Sequence, residues 1–281
     1  MSGAPAIELP SIAVLGAGSM GGAILQGLLA PEVVVQGGIR VTTRRLSDRP
    51  LPAEVTAHAL DTDADANRKA VAGAAIVLLG VKPAGVGDLL DEIADDLDKD
   101  ALVVSVAAGV TTAAMERRLP GGQAVVRAMP NTPATVRLGV TGLAAGSRAR
   151  DEHLELARTL FEQVGDVLVV PEERIDALST ISGSGPAYVF YLVEQLEAAA
   201  LARGFSLDEA ALLAQATFRG AVELLRTSGL APEELRRRVT SPNGTTERAI
   251  AVFDEQNLPG VFDAATAAAL ARAEELGRDF A

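Results

Sequence analysis

The chain has 281 residues, of which 48% are apolar and 22% are charged, a composition typical of a globular protein with one or two domains. The net charge of −12 argues against general binding to nucleic acids or to anionic membranes. Cysteine is absent, and the two histidines, His58 and His153, have no candidate ligand near them in sequence, so we expect no disulfide, no cysteine nucleophile and no metal site.

The first predicted strand, residues 12–15, leads into a glycine-rich loop, residues 16–21, and then into an amphipathic helical stretch. Here Gly16 allows a tight turn, Gly18 lets the backbone approach a pyrophosphate, and Gly21 lets helix and strand pack closely. The helix start offers backbone N–H groups and a positive dipole end to phosphates. This setting favours a dinucleotide site over an ordinary turn. The predicted contacts are Gly16, Ala17, Gly18, Ser19, Met20 and Gly21.

The N-terminal part of the chain alternates short apolar runs with stretches of helical spacing, as in the βαβ units of a doubly wound sheet. Several runs are continuous in valine and isoleucine, which is typical of a parallel sheet covered on both faces. Further strands are predicted at residues 39–42, 76–80, 102–106, 125–129, 140–144 and 167–170. Helices are predicted between them at residues 86–97, 112–119 and 151–164. The sequence therefore predicts an α/β fold with a Rossmann-like first domain, residues 1–171.

Beyond residue 171 only helical stretches follow, which predicts a second, all-α domain over residues 172–281. Ser206 is a predicted N-cap with acidic residues in the turn that follows it, and Gly204 and Gly229 are typical helix stops. The predicted helices are residues 173–180, 186–203, 207–227, 232–239, 246–255 and 261–276.

The helix predicted at residues 186–203 is apolar on nearly every side, with six consecutive apolar residues at 188–193. Such a helix must be enclosed on all sides, and a domain of six helices is barely large enough to do this alone. We therefore expect a partner subunit to help, in a homodimer or a larger homo-oligomer built through the helical domain. A central helix in a monomer is the alternative.

The end of the second predicted strand indicates which dinucleotide is bound. A site that prefers NAD has an acidic residue there for the ribose 2′-OH, but no acid occurs here before Asp48. Thr43, Arg44 and Arg45 can instead bind a 2′-phosphate, which favours NADPH, with NADH as the alternative. A solvated basic turn is the simpler interpretation of the same residues.

Four more segments have the polar and glycine-rich character of binding sites. Residues 80–83 and 127–134 end predicted strands at the edge where α/β sheets bind ligands, and residues 182–188 precede the apolar helix. Residues 239–246 bring hydroxyl groups and backbone N–H groups to a helix start, which suits a small carboxylate. Taken singly, each segment is equally typical of a strand end, a turn, a close-packed loop or a helix cap.

Taken together, these segments resemble the pyrroline-5-carboxylate reductases over nearly the whole chain. Residues 239–246 are the most specific part of the resemblance. Asn243 stands where the family usually has a second glycine, and asparagine tolerates a left-handed backbone best after glycine. The matching segments are residues 12–21, 81–83, 105–110, 127–134, 182–190 and 239–246.

The resemblance implies hydride transfer from a nicotinamide to the C=N carbon of 1-pyrroline-5-carboxylate, which gives L-proline, the last step of proline biosynthesis. It implies that Thr246 orients the ring nitrogen and relays a proton only secondarily, because a free hydroxyl is a weak acid. Ser241, Gly244 and Thr245 would hold the substrate carboxylate, with Asn243 beside them in the substrate site. The remaining cofactor contacts implied in this way are Asn67, Val81, Lys82, Pro83 and Ala108.

Two other functional classes stay open on the sequence alone. A β-hydroxyacid dehydrogenase or another imine reductase would share the two-domain plan, but the former uses a lysine on a long helix, and this chain has no lysine after Lys99. A regulator that senses dinucleotides would bind NADPH without oxidising it. With no signal peptide and no run long enough to span a bilayer, we expect a cytoplasmic protein with no membrane partner.

Overall fold

The computed structural model describes residues 6–45, 52–119 and 121–278. The contacts within it divide the chain into two compact units, Met1–Ser184 with Ala269–Ala281, and Gly185–Ala268.

The first unit contains the parallel sheet that the sequence predicts, and each of the seven predicted strands is confirmed to within two residues at either end. The strands described are β1 (Ile7–Leu9), β2 (Ile12–Leu15), β3 (Val33–Val35), β4 (Ile39–Thr43), β5 (Val55–Ala59), β6 (Ile76–Leu79), β7 (Leu102–Ser105), β8 (Ala124–Met129), β9 (Gly139–Ala145) and β10 (Gly165–Val169). The helices are α1 (Ser19–Leu28), α2 (Ala66–Val71), α3 (Val86–Ile93), α4 (Thr112–Glu116), α5 (Asp151–Phe161) and α6 (Ile175–Leu178).

Eight of these strands form one sheet in the order β10-β9-β8-β7-β6-β2-β4-β5. The sequence predicts a parallel sheet, and this is correct for β2 and β4 through β8, but β8 and β9 pair antiparallel. The connection explains the reversal, because residues 130–138 hold only a short 3-10 helix, Thr132–Val136, and are too few for a crossover between parallel strands. Strand β10 is parallel to β9.

The sheet is covered on both faces, as its continuous apolar strands predict. All four residues of β2, β6 and β7 are buried. On one face Val14 belongs to a core that includes Leu160 and Phe161 of α5, and on the other Leu79 packs in a core with Ile93 of α3. Burial from both sides accounts for the absence of period-2 alternation in these strands.

Four short elements were not predicted from the sequence. Strands β1 and β3 have three residues each and pair with one another in a separate two-stranded sheet, while β5 and α2 lie between the second and third predicted strands. The three-residue strands and the six-residue helix α2 are too short to show a hydrophobic period, and β5 contains Thr56 and His58 and so has no continuous apolar run.

The first compact unit extends to Ser184, beyond residue 171, and the domain boundary after residue 171 stays a prediction. Residues 172–184 belong with the sheet because Ile175 is fully buried and Leu178 packs against Gly142 of β9. The helix predicted at 173–180 is a 3-10 turn followed by α6, and a π-helix, Ser179–Gly183, follows α6.

The second unit is helical, as predicted. Ser206 and Glu209 form a capping box, and Gly204 and Gly229 have left-handed φ values of 91° and 66°, so the predicted cap and both predicted stops are confirmed. Its helices are α7 (Gly185–Leu201), α8 (Leu207–Ser228), α9 (Pro232–Arg238), α10 (Thr245–Glu255) and the first part of α11 (Leu258–Arg278).

Helix α7 is the apolar helix of the sequence analysis, and none of its residues is buried within a single chain. Phe190 is 67% exposed and Tyr191 is 61% exposed. Exposed aromatic side chains next to one another are typical of a surface that another polypeptide covers. Among the described helices, none is both long and apolar enough to cross a membrane.

Replacing Gly165 by alanine is expected to destabilise the first unit by about 2 kcal/mol. Gly165 has a φ of 147°, and a Cβ there would overlap the backbone of Gly139 on the neighbouring strand. Gly73 is the matched control, since its φ is 70° but no atom lies within 4 Å of its Cβ position, so Gly73→Ala should cost about 1 kcal/mol. Urea unfolding would compare the two, and equal losses would contradict the steric argument.

Candidate functional site

The glycine loop joins β2 to α1 and packs against the end of β6. Gly16 has a φ of 89°, and its N–H donates to the Thr42 hydroxyl at 3.1 Å. A Cβ on Gly21 would overlap the Gly16 carbonyl, so the predicted turn at Gly16 and the predicted close packing at Gly21 are both observed. At Gly18 no atom lies within 4 Å of a Cβ position, which leaves the backbone open to an incoming group.

This loop lies where the strand order of the sheet reverses. Strand β2 pairs with β4 on one side and with β6 on the other, and the chain leaves β2 in one direction and returns to β6 in the other. A Cβ on Gly16 would lie 3.1 Å from the carbonyl carbon of Gly80 and from Cγ1 of Val81, just after β6. In open α/β sheets ligands bind at such a switch point, beyond the carboxyl ends of the strands.

The start of α1 has the features of an anion site. Gly18 is its N-cap, and neither an acidic residue nor a side-chain cap occupies the first turn. The Ala17 N–H donates to the Thr42 carbonyl at 3.1 Å, whereas the N–H groups of Ser19 and Met20 lie in the first turn, where an α-helix provides no acceptor. With the positive end of the helix dipole behind them, these groups fit a pyrophosphate.

The three residues predicted to bind a 2′-phosphate, Thr43, Arg44 and Arg45, have different contacts in the structure. The Arg45 guanidinium Nε lies 3.3 Å from Asp61 Oδ2, and the Thr43 hydroxyl donates to the Arg45 carbonyl at 2.9 Å. Arg44 is exposed at the end of β4. Arg45 therefore already forms an ion pair with Asp61, and the Thr43 hydroxyl is used within a turn. Arg44 is the stronger candidate for binding the 2′-phosphate.

Asn67, the second residue of α2, is buried. Its side-chain amide donates to both carboxylate oxygens of Glu92 on α3, at 3.2 and 3.0 Å. This contact gives Asn67 a structural role that the sequence did not indicate, and its contact with a cofactor stays a prediction.

A cavity of about 510 Å³ opens beyond the ends of β6, β7 and β8 in the first unit. Three of the predicted cofactor residues, Lys82, Pro83 and Ala108, line it. The other lining residues are Ala84, Gly109, Arg127, Met129, Asp176, Ser179, Thr180, Ser184, Ala269, Arg272, Ala273 and Leu276. Ala269, Ala273 and Leu276 recur along α11 at the spacing of one helix face. This spacing is a sequence signal that indicates a packed face there.

Arg127 is the charged group that the sequence analysis left without a specific role. Its side chain is 3% exposed, and its guanidinium lies 2.6 Å from Asp176 and 3.7 Å from Glu172. A buried guanidinium requires carboxylate partners. An arginine within the apolar run of β8 therefore indicates that acidic residues lie nearby in space, but the sequence does not identify them.

The predicted substrate loop, residues 239–246, lies in the second unit and leads into α10. Asn243 has a φ of 59°, so asparagine does adopt the left-handed conformation expected of it. The Gly244 N–H donates to the Ser241 carbonyl at 3.0 Å within the loop, and its predicted part in holding a carboxylate stays a prediction. The N–H groups of Thr245 and Thr246 lie in the first turn of α10, where intrahelical acceptors are absent.

The loop requires glycine at position 244, since a Cβ there would lie 2.5 Å from Ser241 Oγ. The Asn243 N–H donates to Glu247 Oε2 at 2.8 Å, so an acid of α10 fixes the loop from the other side. The loop is thereby held in one shape, with Ser241 and Thr245 exposed and Thr246 half-buried.

Glu234 on α9, the helix before this loop, and His153 on α5 in the first unit are both held by hydrogen bonds. Hydrogen bonds from Arg238 and then Arg237 hold the pKa of Glu234 below its ordinary value, so this carboxylate is ionised at neutral pH. His153 accepts a hydrogen bond from the Arg150 N–H at the start of α5, and partial burial lowers its pKa. Neither group is a proton donor at neutral pH. Within the described residues, no cluster of three metal-ligating side chains occurs.

Comparison with protein families matches two parts of the chain. Residues 172–276 match the family described as pyrroline-5-carboxylate reductase dimerisation. Residues 11–109 match NADP oxidoreductase, coenzyme F420-dependent.

Individual relatives match nearly the whole chain. It is 39% identical to the pyrroline-5-carboxylate reductase of Corynebacterium melassecola, over 96% of this chain and 100% of that protein. A solved pyrroline-5-carboxylate reductase from Coxiella burnetii superposes with a TM-score of 0.83 at 36% identity, covering 94% and 97% of the two chains. The NADP-bound pyrroline carboxylate reductase of Plasmodium falciparum, 22% identical over 95% and 98%, has the same fold with a TM-score of 0.81.

Proposed function

This chain belongs to the pyrroline-5-carboxylate reductase family, and we propose that it reduces 1-pyrroline-5-carboxylate to L-proline with NADPH. The observation that carries the proposal is the likeness over nearly the full length of both chains, which includes the nucleotide loop and the substrate loop together. The open backbone at Gly18 and the cavity beside Lys82 support it. The matched dimerisation family supports assembly into a homo-oligomer.

The residues of the first unit fit a dinucleotide. The first turn of α1 would hold the pyrophosphate, and Lys82, Pro83 and Ala108 would hold the nicotinamide half in the cavity. NADPH supplies the hydride that adds to the imine carbon. The protein contributes binding and orientation, because hydride transfer needs the two carbons held within about 3–3.5 Å of each other.

The substrate loop would bind the two polar groups of the imine, its carboxylate and its ring nitrogen. The N–H groups of Thr245 and Thr246 and the Ser241 hydroxyl suit the carboxylate, and the Thr246 hydroxyl suits the ring nitrogen. A cyclic imine is basic enough to carry a proton near neutral pH, and the protonated form accepts hydride more readily. The residues assigned to the substrate include no histidine and no carboxylic acid, which is consistent with this chemistry. Thr246 is in the first place an orienter.

For the assembly, we propose a homodimer or a larger homo-oligomer that buries the apolar side chains of the helical unit. Phe190 and Tyr191 on α7 are each more than half exposed in a single chain, as are Phe253 on α10 and Leu212 on α8. Light scattering coupled to gel filtration should give at least twice the monomer mass. A cytoplasmic location belongs to the same proposal.

Arg44→Ala is expected to raise the KM for NADPH roughly tenfold and to leave the KM for NADH nearly unchanged, since a charge-assisted hydrogen bond to the 2′-phosphate contributes about 1.5 kcal/mol. Arg45→Ala is the matched control and should have a smaller effect, because Arg45 already pairs with Asp61. Steady-state kinetics with both cofactors would measure this. A similar rise in both KM values for Arg44→Ala would contradict the 2′-phosphate assignment.

The loss of NADPH absorbance on addition of pyrroline-5-carboxylate tests the proposed activity. We expect turnover with this imine and none with a β-hydroxyacid assayed in the oxidative direction with NADP. Turnover of the hydroxyacid would favour a dehydrogenase. Binding of NADPH without oxidation by any cyclic imine would favour a sensor.

A further inference from the structure

The buried Arg127 belongs to a chain of contacts that leads away from β8. Its guanidinium reaches Asp176 and Glu172, which come from the turn and helix that follow β10. Glu172 in turn accepts two hydrogen bonds from Thr112, one from the backbone N–H at 2.7 Å and one from the hydroxyl at 2.5 Å. Arg127 therefore lies within ion-pair distance, 3.7 Å, of the Glu172 carboxylate, which in turn holds Thr112, the first residue of α4.

The segment before Thr112 is the loop that follows β7, residues 106–110. Its start is fixed by Ser105, whose buried hydroxyl accepts from the Ala107 N–H at 3.2 Å. Ala107 and Val110 are buried, whereas Ala108 and Gly109 line the cavity. Gly109 has a φ of 78°, a left-handed conformation that glycine adopts without strain.

We propose that Arg127, Glu172 and Thr112 are positioning residues that set the 106–110 loop against the nicotinamide half of the cofactor. The inference rests on the proposed function, which assigns the cavity to that half. Of the two ends of the loop, the Ser105 end is held by the sheet, and the Thr112 end is held by the Glu172 carboxylate. A displaced loop changes the wall against which the nicotinamide ring lies, without touching the pyrophosphate site at α1.

Thr112→Val tests this with the smallest change in volume. It removes the hydroxyl bond to Glu172 and keeps the backbone N–H. We expect kcat to fall roughly tenfold, since small misplacements of reacting groups are costly, while the KM for NADPH changes by less than about twofold. NADPH deuterated on one face of C4 should begin to deliver some hydride from the other face, a result that a purely structural role would not produce.

Two variants serve as controls. Thr111→Val removes the neighbouring hydroxyl, which caps α4 by accepting from the Ala114 N–H at 3.1 Å but does not reach Glu172. Thr112→Ser keeps the bond to Glu172. Both should retain the wild-type kcat and facial selectivity. If Thr112→Val and Thr111→Val behave alike, the proposal is wrong.

A measurement without turnover separates this proposal from the proposed function. Hydrogen–deuterium exchange on the cofactor-free protein should be faster at residues 106–110 in Thr112→Val than in wild type or Thr111→Val. Fluorescence of bound NADPH, which reports the surroundings of the nicotinamide ring, should change in Thr112→Val at unchanged affinity. If wild type fails to reduce the imine, the proposed function fails, and these two readouts still decide the role of the loop. Unchanged exchange and unchanged fluorescence would overturn it.

Discussion

Gly18→Ala is expected to weaken NADPH binding roughly a hundredfold while the protein remains folded. The Cβ position at Gly18 is open and the φ of this residue is −74°, so alanine fits the fold. The added methyl group would occupy the space through which a pyrophosphate reaches the first N–H groups of α1. Fluorescence titration with NADPH would measure the affinity, and thermal unfolding would confirm that the fold persists.

Two neighbouring glycines make this prediction specific. Gly22→Ala places a methyl group 3.7 Å from the Ala17 carbonyl, an ordinary contact, and should change neither affinity nor stability. Gly21→Ala would overlap the Gly16 carbonyl and should lower stability as well as affinity. If Gly18→Ala binds NADPH as tightly as Gly22→Ala, the glycine loop is not the pyrophosphate site.

Thr246→Ala is expected to lower kcat/KM for the imine roughly a hundredfold and to leave the Kd for NADPH near its wild-type value. Thr246 is the second residue of α10, in the substrate loop, and its hydroxyl is the group assigned to the ring nitrogen. The residues assigned to the dinucleotide are different ones, all in the first unit, and this substitution leaves each of them in place. Steady-state kinetics and a separate NADPH titration would measure the two effects.

The hydroxyl itself is tested by two companion variants. Thr246→Ser keeps it and should retain activity to within about tenfold. Thr266→Ala removes a hydroxyl that bonds the Phe262 carbonyl within α11 and should leave kcat/KM unchanged. Full activity in Thr246→Ala would show that this residue neither orients nor protonates the imine.

Features that depend on neighbours in sequence could be predicted well. The turn at Gly16, the capping box at Ser206 and the left-handed conformation at Asn243 follow from local backbone sterics and hydrogen bonding, and each is present. The apolar runs of the strands are equally local, because burial on both faces removes the polar alternation.

Features that depend on partners distant in sequence could not be predicted. Arg45 is paired by Asp61, the Asn67 amide is held by Glu92, and neither acid is marked by spacing or motif. The division after Ser184 depends on Ile175 and Leu178 packing on β9, a strand whose own direction is set by a short connection. Such contacts are decided by the assembled sheet.

Arg127 lies between these two cases. Its position within an apolar strand indicates a buried cation with acidic partners, but the link from Glu172 to Thr112 and the cavity loop is visible only in three dimensions. The sequence therefore predicts that Arg127 has acidic partners, and the structure identifies them as Asp176 and Glu172.

The position of a transferred deuterium tests the central claim most directly. Wild-type protein would be incubated with pyrroline-5-carboxylate and NADPH carrying deuterium at C4 on one face or the other, and the product examined by NMR. We predict L-proline with one deuterium at C5 from one of the two labelled cofactors and none from the other. Unlabelled proline from both labelled cofactors, or no proline at all, would contradict direct hydride transfer to the imine carbon.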